Sequence, residues 1–520
     1  MRIYDIQHQA SSIQYRLGSY SPSYGLKSIW QKEISRINYT MRLARIALVT
    51  LLIIAVAMRS GSEGYLFASS YIYLTTKEEK ELGKKLMLYV KKHLVLIEDP
   101  LIINYVNRIG QHIVAQLPSP PFDFHFYVVK ENVYNAFAAP AGHVFINSGL
   151  LAAMDSEEEL AGILGHEIAH VLCRHISEQI ERSKKIGLAT LAGVLTGIFL
   201  GGSGAAAAAI TTSSIAAGQS LTLKYSRENE EEADQVGLKY LTKAGYGSEG
   251  LLKVLQKIRA KRWFGPEHIP SYVTTHPAIE ARMAYLDTWI QTHPEAAKSV
   301  RPVDPTGFRK VRTKLIALYG DAGAAHSTFD SELRKDPENA LAYYGKGLVL
   351  NRDGKRQEAV ENLKRALQFR PLDSDIVRDL GKTYFHMGNY ASALKTLKGA
   401  LAFSPKDPEG WFLLGRAQME MGDLQGALNS FKTLVNTAPD YLPGTYYLGE
   451  TYGKLGNLGE AHYHLGIYYK EKGRFKNAKF HLNRALNLLA KDSERKQTIE
   501  KALKELSGAQ GHDHNEKSAW

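Results

Sequence analysis

The 520-residue sequence predicts a mostly α-helical protein in which an α+β domain with a small sheet precedes an α-solenoid. Three observations support this fold class. Several stretches of the first half repeat apolar residues at three- and four-residue steps, the spacing of one helix face. Residues 122–151 contain short alternating segments typical of strands. Beyond Pro305 the sequence repeats with a period of 34 residues, which is typical of stacked helix pairs.

The chain is too long for one ordinary hydrophobic core, so two or three domains are expected. Its net charge of +12 is spread along the sequence and forms no basic block. A solvated surface explains this charge; contact with an anionic membrane surface is an additional possibility, and nucleic acid is not expected as a partner. The single cysteine, Cys173, excludes an intramolecular disulfide and is interpreted as a small core residue.

Residues 1–58 are predicted to be an N-terminal extension and a signal peptide. Counted from Met41, two arginines precede the thirteen mostly apolar residues Ile46–Met58, which contain the cleavage-site pattern Ala55–Ala57. This core is short for a membrane span but has the length of a signal-peptide core. An uncleaved anchor is the alternative, and either interpretation predicts an exported protein.

The globular part is predicted to begin with two helices. Thr76 and Glu79 match a capping box at the start of a helix that extends to about His93. Pro100 begins the second helix, whose apolar residues keep helical spacing as far as Leu117.

A small sheet is predicted next. Phe122–Val129 alternates as a strand, and Asn135–Leu151 fits two short strands around a turn at Pro140–Gly142. This hairpin is either a sheet edge to which an extended peptide could add as a strand or an ordinary hairpin beneath the following helix.

The stretch Gly165–His170 carries the predicted chemistry, because it reads H-E-x-x-H within an apolar helical pattern. Positions i and i+4 share a helix face, so His166 and His170 can direct two imidazoles at one metal ion. Glu167 lies about 100° further round the helix, where its carboxylate can act on a water at the open metal position. This arrangement is that of a zinc hydrolase.

A third metal ligand must come from elsewhere, because a catalytic zinc usually has three protein ligands. The extended metzincin pattern is excluded, since it requires glycine and histidine where this chain has Cys173 and Ile176. Helical phase within Ser226–Tyr240 selects Glu230, which shares the packing face, and places Asp234 one turn later, where it can orient a ligand histidine. The other acidic residues of this stretch are interpreted as an ordinary acidic helix start: Glu228, Glu231 and Glu232.

Two further stretches are less specific. The apolar, glycine-rich insert 186–218 is predicted to be a helical hairpin near the site, either buried or dipping into a membrane surface; re-entrant or spanning segments are the alternative. In Thr275–Arg282 a proline is predicted at a helix start. Taken alone, His276 could be a loop histidine and Arg282 a surface cation.

The three motifs in order, H-E-x-x-H, S-R-x-x-E-x-x-A-D and T-H-P-x-x-x-x-R, resemble the zinc peptidase family that includes the prenyl-protein endopeptidases and the HtpX-type membrane proteases. The resemblance covers roughly residues 70–290 and implies a zincin-like metalloprotease domain over 70–295 with one Zn²⁺ per chain. It implies that Glu167 activates water and that Asp234 supports the site. The implied zinc ligands are His166, His170 and Glu230.

The same resemblance implies a role for each of the less specific stretches. His276 is implied as a fourth metal ligand that acts as a self-inhibiting switch. Arg282 is implied to stabilise the reacting carbonyl. The insert 186–218 is implied to cover the active site as a plug.

Residues 306–507 are predicted to be a tetratricopeptide repeat domain, and 508–520 a disordered tail. Close-packing, turn and stop positions recur every 34 residues, as in Gly347, Gly381 and Gly415. The period breaks where Leu448-Gly449 is followed by Leu465-Gly466 only 17 residues later, so one helix is predicted to serve two half-repeats. Such arrays present a concave groove for peptides or proteins.

An exported zinc endopeptidase with these repeats is similar to the periplasmic β-barrel assembly-enhancing proteases. The resemblance implies hydrolysis of misfolded or misassembled envelope and outer-membrane proteins. It also implies that the repeats recruit substrates or the outer-membrane assembly machinery. The alternative is a non-catalytic periplasmic chaperone or scaffold with a latent metal site, but such a site would not need Glu167. A prenyl-peptide processor would need several long membrane spans, which hydropathy does not indicate.

Overall fold

The computed structural model describes residues 74–182, 224–262, 271–301, 304–489 and 493–517. All of them belong to one compact unit, Tyr73–Trp520. The predicted signal peptide (1–58) and the apolar insert (186–218) lie outside the described residues. None of the helices within those ranges combines the length and apolarity that crossing a membrane requires.

The first half forms helices around a small sheet. Its elements, in order, are α1 (Thr76–His93), α2 (Pro100–Val114), β1 (His125–Val129), β2 (Ala136–Ala139), a 3₁₀ turn (Pro140–Gly142), β3 (His143–Asn147), α3 (Ser148–Ala153), α4 (Glu157–Leu172), α5 (His175–Arg182), α6 (Arg227–Lys243), α7 (Glu249–Arg262), α8 (Ser271–Thr275) and α9 (Ile279–Thr292). With the helical repeats that follow, the predicted fold class is confirmed.

Within the described residues, three strands form the sheet. The central strand β3 pairs parallel with β1 and antiparallel with β2, so β2 is an edge strand there. The turn between β2 and β3 needs two left-handed residues, Ala141 (φ 65°) and Gly142 (φ 83°). Both predicted strands around this turn are present, whereas the strand predicted from Phe122 begins at His125.

The capping box of α1 lies one residue before the predicted one. Thr75 and Glu78 form it, and not Thr76 and Glu79. The side chain of Glu79 is on the buried face of α1, where it accepts hydrogen bonds from the guanidinium of Arg174 and cannot return to the helix start.

Helix α4 is buried on every face and is the centre of the first domain. Helices α2, α6 and α7 pack around it, and β2 and β3 contact it from the sheet. Its apolar residues Leu160, Ile163, Leu164 and Ile168 belong to one continuous core with α2, the sheet, α6, α7 and α9. A helix that is apolar all round is typical of such a central position.

The second half is a series of packed helices. They are α10 (Pro305–Tyr319), α11 (Ala322–Lys335), α12 (Ala340–Arg352), α13 (Arg356–Phe369), α14 (Ser374–His386), α15 (Tyr390–Phe403), α16 (Pro408–Glu420), α17 (Leu424–Thr437), α18 (Leu442–Lys454), α19 (Leu458–Glu471), α20 (Phe475–Leu488) and α21 (Ser493–Lys517). The turn positions of the period adopt left-handed φ angles of 75° to 81°: Gly354, Gly388 and Gly422. Glycine supplies this conformation without steric cost.

Helix α19 explains the break in the period. Gly449 on α18 packs against Leu465 of α19, and Gly466 of α19 packs in the same way against Leu482 of α20. Helix α19 is therefore the second helix of one pair and the first helix of the next.

Helix α21 continues to Lys517, whereas the sequence predicts a disordered tail from residue 508. Its first half is anchored by three buried residues, Ile499, Ala502 and Leu506. Once a helix is nucleated by packing, each added residue gains a hydrogen bond, so the polar end can extend it.

Helix α10 connects the two halves through a buried ion cluster. It packs against α2 and α3 on one side and against α12 on the other. The ammonium of Lys314 lies 2.7 Å from Asp99 of the first domain, 3.7 Å from Asp379 and 3.6 Å from Glu409 of the repeats. The repeats thus contact the first domain through charges removed from solvent.

Candidate metal centre

Two imidazoles of α4 converge on one point. The Nε2 atoms of His166 and His170 are 3.0 Å apart, and the two rings meet edge to face with centroids separated by 4.6 Å. Both side chains are fully buried. The one-turn spacing of the motif therefore aims both lone pairs at the same position.

Glu230, near the start of α6, completes this group. Its Oε2 lies 3.6 Å from Nε2 of His166, and its Oε1 lies 3.5 Å from Nε2 of His170. A tetrahedral metal with bonds of about 2.0–2.1 Å holds its ligand atoms roughly 3.3 Å apart. The three residues fit one metal ion of this kind.

His276 contacts the same group. It lies in the connection between α8 and α9. Its Nδ1 is 3.0 Å from Oε1 of Glu230, and its ring stacks on Tyr272. The ligand atoms of all four predicted metal residues lie within 4.8 Å of one another. The predicted helix start at Pro277 is displaced, because α9 begins at Ile279 after a left-handed Ala278.

Asp234 and Arg282 support the group from behind. Asp234 Oδ1 is 2.9 Å from Nδ1 of His166, and Arg282 binds Asp234 through two hydrogen bonds of 2.8 and 2.7 Å. Arg282 Nη1 also donates to Oε2 of Glu230 at 2.6 Å. Burial opposes ionisation of Asp234, but the charge of Arg282 and the hydrogen bond from His166 outweigh it and hold its pKa below the usual value.

Glu167 is buried beside the group. Neither of its carboxylate oxygens has a hydrogen-bond partner within the described part of the chain, and the same holds for Nε2 of His276, 3.7 Å from Glu167 Oε1. Burial raises the pKa of Glu167. Buried polar atoms are rarely left unpaired, so this constellation fits a centre that accepts a cation and a water.

The sequence interpretation missed His175 and Glu232. Nδ1 of His175 lies 2.9 Å from Nδ1 of His170, and Nε2 of His175 lies 3.0 Å from Oε2 of Glu232. Glu232 is therefore more than an ordinary residue of an acidic helix start. The available signal was a histidine five residues after His170, but the left-handed Arg174 that reverses the chain there is not readable from periodicity.

Tyr225 also belongs to the centre and was not predicted. Its ring stacks on His170 with centroids 3.8 Å apart, and it is buried.

The range that holds these residues matches a known family. Residues 101–290 match the model of Peptidase family M48, and the matched range includes the motif, Glu230, His276 and Arg282. This range is a peptidase M48 domain. Tetratricopeptide repeat models match residues 320–375, 350–417, 387–447 and 459–492, so the M48 domain is followed by the predicted repeats.

Relatives that are named as proteases match part of the chain. The chain is 28% identical over 305 residues to a beta-barrel assembly-enhancing protease of Yersinia pestis and 27% identical over 306 residues to that of Escherichia coli K12. Each alignment covers 57% of this chain and 61% of the relative, so only part of those proteins is matched. The mitochondrial metalloendopeptidase OMA1 of Schizosaccharomyces pombe is 28% identical over 200 residues, which cover 37% of this chain and 53% of that protein.

Proposed function

We propose that this protein is an exported zinc-dependent endopeptidase that hydrolyses misfolded or misassembled envelope and outer-membrane proteins. The observation that carries the proposal is the buried carboxylate of Glu167, unpaired within the described residues, beside the convergent ligand atoms of His166, His170 and Glu230. A purely structural metal site would have no use for such a carboxylate.

The residues that would hold Zn²⁺ are His166, His170 and Glu230. When bound, zinc lowers the pKa of a water toward about 7 and polarises the scissile carbonyl. Asp234 accepts a hydrogen bond from the N–H at Nδ1 of His166, which leaves the Nε2 lone pair free for the metal. Arg282 fixes Asp234 and Glu230 in this arrangement through three hydrogen bonds.

Glu167 acts as the general base and acid. It accepts a proton from the attacking water and later donates it to the leaving amine. Burial raises its pKa and so brings its proton affinity closer to what the reaction at neutral pH needs. The proposal that Arg282 also stabilises the reacting carbonyl would require its Nη1 group to leave Glu230.

His276 is proposed to close the fourth ligand position in a resting state. Its Nε2 has no hydrogen-bond partner among the described residues, while its Nδ1 contacts Glu230. Withdrawal of His276 would then open the position for substrate.

The substrate class, location and partners rest on the relatives and on the repeats. The name beta-barrel assembly-enhancing protease supports a periplasmic enzyme that acts on outer-membrane proteins, with the repeats recruiting these substrates or their assembly machinery. The signal-peptide pattern of residues 1–58 supports export. The basic net charge is consistent with peripheral contact with a membrane surface.

The experiment that tests the proposal compares the wild-type protein with Glu167→Gln. Zinc content is measured by atomic absorption, and cleavage is followed on casein and on an unfolded outer-membrane protein. We expect one zinc per chain in both proteins and a loss of roughly 100- to 10,000-fold in the cleavage rate of the variant, because a general base supplies that factor. Equal cleavage rates in the two proteins would exclude the proposed protease function. A wild-type protein that prevents aggregation of the substrate without cleaving it would support the chaperone alternative.

A further inference from the structure

The side of His170 away from the metal group faces a second pair of residues. Nε2 of His170 points toward His166 and Glu230, at 3.0 and 3.5 Å. The opposite ring nitrogen, Nδ1, lies 2.9 Å from Nδ1 of His175. On the other side of the His175 ring, Nε2 lies 3.0 Å from Oε2 of Glu232, so the three side chains form a line of two contacts.

The proton positions along this line follow from the role of His170 as a metal ligand. A histidine binds a metal through an unprotonated nitrogen, so a neutral His170 that uses Nε2 carries its proton on Nδ1. That proton can only be donated to Nδ1 of His175, which must then be the acceptor. His175 carries its own proton on Nε2 and donates it to Glu232. One arrangement of protons therefore satisfies both hydrogen bonds.

The geometry points to His175 and Glu232 as positioning residues that orient His170 for metal binding through this relay of two hydrogen bonds. The inference rests on the proposed metal-dependent function. Each ligand histidine would then have its own carboxylate: His166 contacts Asp234 directly, and His170 reaches Glu232 through His175.

The two carboxylates differ in their surroundings. The side chain of Asp234 is fully buried, whereas 46% of the side chain of Glu232 is exposed. Substitution of Glu232 therefore leaves no buried charge without a partner, whereas substitution of Asp234 would remove a partner of the buried Arg282. Support of a ligand histidine by a carboxylate is thus easier to test at Glu232.

The same residues suggest a competing arrangement that the test must exclude. Cys173, His175 and Glu232 could each offer a ligand atom to a second metal ion, since these atoms lie within 4.8 Å of one another. A metal on Nε2 of His175 would shift the remaining proton to Nδ1, facing His170. His170 would then need its proton on Nε2 and could not bind the first metal there. With neutral imidazoles, the cluster can be the relay or a second metal site, but not both.

The experiment uses the full-length protein loaded with zinc and measures the rate of zinc release to excess chelator. The variants are His175→Ala, His175→Asn and Glu232→Gln. Asparagine retains an acceptor oxygen near the position of Nδ1, so it can still accept the proton of His170. Glu231→Gln is the matched control, because Glu231 is an exposed neighbour on the same helix whose carboxylate accepts a hydrogen bond from Gln235.

We expect His175→Ala to release zinc about 10- to 100-fold faster, the usual effect of removing a residue that orients a metal ligand. His175→Asn should release zinc at a rate close to that of wild type. Glu232→Gln should release zinc faster than wild type, and the control Glu231→Gln should match wild type. The absorption bands of the Co²⁺-loaded protein should shift in His175→Ala and return toward wild type in His175→Asn. If His175→Ala does not fold, Glu232→Gln decides the outcome by the same two measurements.

Two results would overturn the relay. Wild-type rates of zinc release in His175→Ala, or in Glu232→Gln with an unchanged cobalt spectrum if His175→Ala does not fold, would show that His170 needs no such support. Two zinc ions in the wild-type protein and one in Glu232→Gln would assign the cluster to a second metal. A wild-type protein that binds no zinc would instead contradict the proposed function itself, so the two failures are distinguishable.

Discussion

Gly237 of α6 packs directly against Gly165 of α4, where the two helices cross. A Cβ atom on Gly237 would lie 3.1 Å from the carbonyl oxygen of Gly165 and 3.3 Å from Cα of His166. This close approach brings Glu230, about two turns earlier on α6, to within 3.6 Å of the imidazole of His166. The metal centre therefore depends on the absence of side chains at the crossing.

Gly237→Val is expected to weaken the metal centre by separating the two helices. Overpacking of this kind costs about 1–3 kcal/mol of stability, and the ligand distances would lengthen with it. The measurements are zinc affinity and urea unfolding of the purified protein. Gly399→Val is the control, because no atom lies within 4 Å of the corresponding Cβ in α15. Unchanged zinc affinity in Gly237→Val would show that the crossing does not set the position of Glu230.

His276→Ala is expected to keep zinc and to increase basal cleavage. Three protein ligands suffice for a catalytic zinc, and removal of the fourth opens a position for substrate. The assay is hydrolysis of a fluorogenic casein together with zinc content. His293→Ala, an exposed histidine after α9, should match wild type. A fall of His276→Ala to the level of Glu167→Gln would contradict a switch and would indicate that His276 is required for the reaction.

Lys314→Met is expected to destabilise the contact between the M48 domain and the repeats. The substitution removes the cation that pairs with the buried Asp99 and leaves Asp379 and Glu409 with Arg378 as the cation they share. Breaking a buried ion pair costs about 3–5 kcal/mol, whereas an exposed pair contributes at most about 1 kcal/mol. Urea unfolding measures the difference. Lys346→Met, at a partly exposed pair with Asp330, is the control and should change the stability little. Equal effects of both substitutions would contradict the importance of the cluster.

Acid is expected to weaken the same cluster. Asp375 extends this cluster, because its partner Arg378 also lies 3.3 Å from Asp379 and from Glu409. Burial opposes ionisation of Glu409 and Asp375, but the charges of Lys314 and Lys382 outweigh it for Glu409, and that of Arg378 does so for Asp375. Both carboxyl pKa values therefore lie below their usual ones. Their stabilising contribution is complete above the unfolded pKa of about 4 and is lost as the pH falls through the folded pKa values.

The free energy of unfolding should therefore decrease as the pH is lowered from about 5 toward 3. Lys314→Met should show a flatter dependence, because it removes one of the cations that lower the pKa of Glu409. Urea unfolding at a series of pH values measures both slopes. Identical slopes in wild type and variant would show that the acid sensitivity arises elsewhere in the chain.

Much of the fold could be predicted because it depends on the spacing of residues that are close together in the sequence. The helical spacing around His166 and the 34-residue period of the repeats both report on one element or one pair of elements at a time. Phase within a helix also predicts that Glu230 lies on the packing face of α6, and Glu230 is buried there where α6 packs against α4. The cap of α1 was misplaced by one residue because Thr75 and Thr76 offer the same local pattern, and only the burial of Glu79 distinguishes them.

The sequence by itself determined the helices, the short strands, the repeat array and the residues of the H-E-x-x-H motif, because each follows from the spacing of neighbouring residues. Only the tertiary structure decided that Glu230, His276 and Arg282 meet the motif, that Glu232 reaches His170 through His175, and that Lys314 joins Asp99 to the repeats. These contacts depend on how helices far apart in sequence cross and on left-handed residues such as Arg174. No local pattern encodes distances of that kind.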